Sequence, residues 1–171
     1  VTLLPHIKAL EKDRIIIPKM IGKNKSYSLN LENILTKNYM LQAENYETIS
    51  YLEEVFLIKK ITTDMTSINL SGTTILFGSY AKKTYQKNSD LDIFYIGEMT
   101  TEEKEKIKKI GNIYGKTINI KYMSIKNFES EIRKNFGLIV EIFINHLILQ
   151  NADIFVNALW RYYCDSKRYE I

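Results

Sequence analysis

Asp90 and Asp92 stand two residues apart where an apolar run begins, Leu91-Asp92-Ile93-Phe94-Tyr95-Ile96. Strand side chains two apart emerge on the same side, so this spacing aims both carboxylates at one spot. Paired carboxylates without a basic partner repel, and a hard divalent cation with oxygen ligands relieves that repulsion. Upstream, a second apolar run over 73–77 ends in Gly78-Ser79 and leads into Tyr80-Ala81-Lys82-Lys83-Thr84-Tyr85, which reads as a short helix. Glycine lets a ligand approach the backbone closely, and exposed N–H groups at a helix start favour phosphate. Ser79 adds a hydroxyl donor, while Lys82, Lys83 and Lys87 lie in the same loop-helix segment. A phosphate cradle beside a two-carboxylate metal site is equipment for phosphoryl or nucleotidyl transfer.

Gly78-Ser79, ten intervening residues, then Asp90-x-Asp92 preceded by Ser89, with an apolar strand on each side, resembles the minimal nucleotidyltransferases of the DNA polymerase β superfamily. The resemblance covers roughly residues 70–125. It implies that Gly78 and Ser79, with Lys82, Lys83 and Ser89 nearby, hold the phosphates of ATP or another NTP. It implies that Asp90 and Asp92 bind Mg²⁺ (or Mn²⁺), and that a third carboxylate on the following strand completes the metal site and helps activate an acceptor hydroxyl. The product would be a nucleotidylated acceptor plus pyrophosphate. Members of the minimal group often act as antitoxins that adenylylate a partner toxin, which makes AMP from ATP the expected group and a protein tyrosine or serine one reasonable acceptor, without the resemblance fixing it.

Two positions depart from the family pattern. The strand expected to carry the third acid reads Ile118-Asn119-Ile120-Lys121, which puts Asn119 at the matching position. An amide can coordinate a cation through oxygen but cannot accept a proton as a carboxylate does. Lys83 stands where the family usually has glycine; it is equally suited to gripping phosphate and to standing in solvent.

The elements that position these residues follow from periodicity. Residues 2–12 place Leu3, Leu4, Ile7 and Leu10 at helical spacing, with Pro5 in the first turn. Two β-rich runs, 14–20 and 25–31, flank Ile21-Gly22-Lys23-Asn24 and predict a hairpin. A short helix feeding a basic hairpin resembles the recognition helix and wing of a winged helix-turn-helix domain, over about the first thirty residues. The earlier helices of such a domain are missing and the first residue is Val1, which predicts a fragment. Residues 31–68 read as helical, with Leu41, Ile49, Leu52, Val55 and Phe56 able to share a face. After Ser71-Gly72 come strands at 73–78, 91–97 and 117–123, a charged helix at 102–110 ended by Gly115, and helices at roughly 125–148 and 152–163. The expected organisation is α/β (α+β): a winged-helix remnant (1–31), a helical bridge (32–69) and a nucleotidyltransferase domain of small mixed sheet and flanking helices (70–171).

Composition excludes some classes. At 171 residues with 45% hydrophobic and 26% charged side chains, the chain can bury a core without staples. The lone Cys164 excludes a disulfide framework and a multi-thiolate zinc site, and predicts a reducing, cytoplasmic setting. The best apolar run, 138–144, is broken by Glu141, so no membrane partner is expected. Abundant Lys and Ile with scarce Arg lean toward an AT-rich prokaryotic coding sequence. The net charge of +4 lies wholly in residues 1–30, where six basic side chains face Glu11 and Asp13. Lys8, Lys19, Lys23 and Lys25 are therefore the candidate DNA contacts. His146, in an apolar stretch, reads as structural, and the aromatics Trp160, Tyr162 and Tyr163 read as core packing.

The leading expectation is a Mg²⁺-dependent nucleotidyltransferase, with Asp90, Asp92 and Asn119 as the catalytic row. The rival is a DNA-binding regulator whose nucleotidyltransferase fold is inactive or only senses nucleotide, favoured by the basic hairpin and by Asn119.

Overall fold

The computed structural model describes residues 3–134 and 137–167, apart from the Lys167 side chain. Helix α1 (Leu4–Lys12) is followed by a hairpin of β1 (Ile16–Ile21) and β2 (Asn24–Leu29). The register pairs Ile21 with Asn24, leaving a two-residue loop whose first position, Gly22, has φ +60°, the conformation that a tight hairpin of this hand requires. Lys25 ties β2 to α1 through Glu11 at 3.0 Å. This segment has little interior of its own: α1 buries no residue, and Leu3, Leu4, Met20 and Ile21 are all exposed. It is anchored through Ile15, which is buried, and through the Asn30 and Asn33 side-chain amides, which donate to the Arg14 carbonyl at 2.8 and 3.1 Å.

Asn33 also caps α2 (Ile34–Glu54), its side chain accepting from the Leu35 amide. At Val55 the backbone leaves the helical region (φ −113°, ψ 81°), and α3 (Phe56–Met65) starts on a new phase. The single apolar face expected through this stretch is therefore split. Leu52 and Val55 pack inward, whereas Ile49 and Phe56 are 57% and 65% exposed. Their inward places are taken by Thr48 and Tyr51 on α2 and by Ile58, Ile61 and Met65 on α3.

The main sheet has strand order β5-β4-β3-β6. Strands β3 (Thr73–Phe77) and β4 (Leu91–Ile96) run antiparallel, and β5 (Ile118–Met123) runs parallel to β4. Between β3 and β4 come α4 (Gly78–Ala81) and a loop. The crossover from β4 to β5 is α5 (Thr101–Ile113), opened by a capping box between Thr100 and Glu103. Beyond β5 are α6 (Ile125–Arg133), α7 (Gly137–Ile144), β6 (Leu147–Gln150) and α8 (Ala152–Lys167). The helix expected over 125–148 is thus two helices and a strand; residues 135 and 136 within it lie outside the described residues. Leu147 and Leu149 face one side of the sheet and Ile148 the other. An apolar run buried on both faces carries no period by which to tell strand from helix.

Helices cover both faces. On one, Leu76, Leu91, Ile93, Tyr95 and Ile118 pack against Ile58, Ile61 and Met65 of α3 and Ile107 of α5. On the other, Ile75, Phe77, Phe94 and Ile96 meet α6, α7 and α8, centred on Phe128, whose ring lies within 6.1 Å of Phe94 and 5.9 Å of Phe155. Helix α2 covers the β6 edge, where the Thr48 hydroxyl donates to the Ile148 carbonyl at 3.0 Å. His146 is structural in this fold, part-buried against Phe155 and 3.1 Å from Glu44. Tyr162 packs on the core, whereas Tyr163 is 38% exposed.

Lys83 holds a left-handed backbone, φ +56°. That conformation costs a side-chain-bearing residue about 1–2 kcal/mol and a glycine almost nothing, which is the physical reason for glycine at this point of the family pattern. The Lys83 ammonium pairs with the exposed Glu54 carboxylate of α2, an interaction of little energetic weight at the surface. Lys83→Gly is therefore expected to be more stable than Lys83→Ala by about 1 kcal/mol, a Tm difference of roughly 2–4 °C. Both variants lose the ion pair and only the glycine relieves the backbone; thermal melts of the two, with the alanine equal or higher, would contradict this.

Candidate functional site

The site is built on one row across three strands. Phe77 on β3 is in register with Asp92 on β4, and Asp92 with Asn119 on β5. All three occupy the sheet face that carries Phe94 and Ile96, but at the end where covering helices stop: Asn119 is exposed and Asp92 half-buried. Alternation along β4 turns Leu91 and Ile93 into the opposite core. Asp90, in the turn that leads into β4, is exposed.

Gly78 closes the row. Its φ is +69°, and a Cβ built on it would lie 2.6 Å from Asp92 Oδ2. Only a residue without a side chain allows the chain to turn out of β3 this close to the carboxylate. On its other side the Asn119 amide donates to Asp92 Oδ1 at 3.2 Å. Asp92 is thereby oriented by both neighbours, with one oxygen against the Gly78 turn and the other held by an amide. Carboxylate oxygens such as those of Asp92 suit Mg²⁺ or Mn²⁺, and the hollow that a Cβ at Gly78 would fill lies beside Asp92. Among the described residues no cluster of three or more His, Cys, Asp or Glu side chains could hold a metal. An ion here would rest on Asp90, Asp92 and the neutral Asn119.

The remaining residues singled out by sequence are distributed around this row. Ser79, half-buried in α4, accepts from the Thr84 amide through its carbonyl. The Lys82 ammonium pairs with Glu141 of α7 at 2.7 Å. Ser89 uses its hydroxyl within its own loop, accepting from the Gln86 amide at 2.8 Å. Lys8, Lys19 and Lys23 are exposed on the N-terminal helix and hairpin, while Lys25 is engaged with Glu11.

Three residues not singled out by sequence support this end of the sheet. The Lys116 ammonium donates to the Lys87 and Ser89 carbonyls at 2.6 and 3.1 Å, pinning the loop that leads to Asp90. Tyr51 donates to the Tyr80 carbonyl at 2.8 Å, so that α2 holds α4 in place, and burial pushes its hydroxyl pKa upward. Tyr85 stacks on the buried Tyr80 ring with centroids 4.2 Å apart. The Lys116 and Tyr51 contacts join residues nearly thirty apart in sequence, and no local pattern marks them.

Gly78→Ala should lower stability by about 1–2 kcal/mol, from the left-handed backbone alone, and turn the Asp92 carboxylate away from Asn119. Urea unfolding and the chemical shift of the Asn119 side-chain amide report the two effects. Unchanged stability together with an unmoved amide signal would contradict the close approach.

Comparison with known proteins bears on this geometry. Residues 58–149, more than half of the chain, match the model of the nucleotidyltransferase domain. A protein of Methanocaldococcus jannaschii named "Putative protein adenylyltransferase" is 32% identical over 99 residues, covering 47% of this chain and the whole of that relative. A solved structure described as a toxin-antitoxin with AMP-PNP has a TM-score of 0.42 at 16% identity, covering 66% of this chain and 91% of that one, a likeness too slight to bear on function. On the family match and the relative, the chain belongs to the nucleotidyltransferase domain family.

Proposed function

We propose that this chain transfers AMP from ATP to a hydroxyl group of a partner protein, with Mg²⁺ as the bound metal. The observation that carries the reading is the row formed by Gly78, Asp92 and Asn119, in which a glycine turn and an amide orient one carboxylate at the open end of the sheet. The family supports nucleotidyl transfer, and the relative named as a protein adenylyltransferase supports AMP and a protein acceptor.

In the reaction the acceptor oxygen bonds to the α-phosphorus, the bond from that phosphorus to the bridging β-oxygen breaks, and pyrophosphate leaves. A divalent ion held by Asp90 and Asp92 would offset charge on the triphosphate. Gly78 and Ser79 admit the phosphates close to the backbone, and Lys82 and Lys83 would exchange their carboxylate partners for phosphate oxygens. Asn119 orients Asp92 but cannot take the acceptor's proton; of the row, only Asp92 can. General-base assistance contributes on the order of 10²–10⁴-fold, so turnover is slow, which suits a modifier that acts once per target.

A second reading, a DNA-binding regulator that senses nucleotide, draws its support from the exposed Lys8, Lys19 and Lys23 on α1 and the hairpin, which make no ion pair among the described residues, and from Asn119 itself. It implies nucleotide binding without pyrophosphate release.

Pyrophosphate release at saturating ATP and acceptor distinguishes the two. Asn119→Asp should accelerate release at least tenfold and Asp92→Ala should abolish it; release indifferent to Asp92→Ala would remove the transfer reading. For the second reading, replacing Lys19 and Lys23 together should make log K for DNA less dependent on log salt by up to about two units of slope. An unchanged slope would leave the hairpin lysines as solvated surface.

A further inference from the structure

Lys121 lies on β5 two residues after Asn119 and therefore on the same sheet face, one row further in, where its register partner on β4 is Phe94. Its ammonium lies 6.0 Å from the ring centroid of Phe77 on β3. Adjacent strands are about 4.8 Å apart, so a β5 side chain that comes this near a β3 ring leans across β4 toward Phe77, the residue before Gly78. Lys82 and Lys83 are tied to carboxylates and Lys116 to backbone carbonyls. Among the described residues Lys121 makes no ion pair, and its ammonium is left over the Phe77 ring. The two oxygens of Asp92 are already placed, one by Asn119 and one against Gly78.

Charge gives this placement a meaning. A site of this type handles a triphosphate whose charge is offset by cations, and paired divalent ions are one solution. A second ion needs a further anionic ligand, and the row supplies the neutral Asn119 instead. Compared with a carboxylate at 119 and a neutral side chain at 121, an amide and an ammonium together make the site more positive by two charges, those of one divalent ion. A lysine ammonium is a compact, mobile point charge with three donors and can follow phosphate oxygens without fixed geometry.

We propose that the Lys121 ammonium binds the nucleotide's phosphates and stands in for the second divalent ion, so that this chain binds ATP with one metal ion rather than two. The inference rests on the nucleotidyl-transfer reading and assigns Lys121 a phosphate-binding part in it.

The test counts metal ions and measures nucleotide affinity, with no turnover involved. Mn²⁺ is titrated into the full chain saturated with α,β-methylene ATP, whose scissile bridge is carbon, and bound Mn²⁺ is counted by electron paramagnetic resonance; calorimetry gives the nucleotide affinity. The wild type should bind one Mn²⁺ per nucleotide. Lys121→Met, at an exposed position, should bind the nucleotide about ten- to a hundredfold more weakly, the range expected for losing a charge-assisted hydrogen bond. Asn119→Asp combined with Lys121→Met should bind two Mn²⁺ and recover affinity. Two Mn²⁺ in the wild type, or Lys121→Met binding with wild-type affinity, would overturn the proposal while leaving nucleotidyl transfer standing. No nucleotide binding by the wild type would overturn both, and the wild-type isotherm alone tells these failures apart.

Discussion

The close approach of Gly78 to Asp92 is the constraint on which the rest of the site depends. Strand β3 must end, turn and start α4 within one residue, and the turn must pass within contact of a carboxylate on the neighbouring strand. Once that geometry is met, Asp92 has one oxygen set by the turn. Parallel pairing of β4 with β5 then brings Asn119 alongside to set the other. Sheet register, more than any helix, decides which side chains meet here. The helices act at one remove: α2 holds α4 through Tyr51, and Lys116 after α5 holds the loop before Asp90. Packing around Phe128 and Ile58 keeps the sheet rigid enough for the row to be reproducible.

The same site shows what an amide at position 119 does. A carboxylate there would repel Asp92 unless a cation intervened. The amide makes the opposite contact, donating a hydrogen bond, so the row is stable without any ion. Orientation of Asp92 is kept, and a proton acceptor is given up. Lys121, on the same face, adds positive charge where a carboxylate ligand is lacking.

Much of this architecture was legible in the sequence, and the exceptions have physical causes. Strands β3 and β4 stand out because each is a short, mostly apolar run bounded by Gly or Asp, β5 because Ile118 and Ile120 alternate with polar side chains, and α5 because its charged face alternates with Ile107 and Ile110. Strand β6 is invisible in the sequence because Leu147, Ile148 and Leu149, buried on both faces, carry no period. The break at Val55 was hidden because Val and Phe fit a helical pattern equally well on either phase. The left-handed backbone at Lys83 is marked only by the glycine usual at that point of the family pattern, because lysine itself seldom adopts it. At the site, residue types point to the glycine turn and to Asp92, since glycine and acid carry their chemistry with them. Nothing local in the sequence marks Lys116, Tyr51 or Lys121, because their placement arises from register and long-range packing. No helix among the described residues is long and apolar enough to cross a membrane, in keeping with the break at Glu141.

The central claim is that nucleotide and metal meet at the Gly78–Asp92–Asn119 row. Mn²⁺ broadens nearby amide resonances steeply with distance, so titrating Mn²⁺ and ATP into ¹⁵N-labelled protein locates the ion directly. The account predicts selective loss of the Gly78, Ser79, Asp92 and Asn119 signals, with the hairpin amides of Lys19 and Lys23 unaffected, and no such loss in Asp92→Ala. Broadening centred anywhere else, or persisting unchanged in Asp92→Ala, would contradict it.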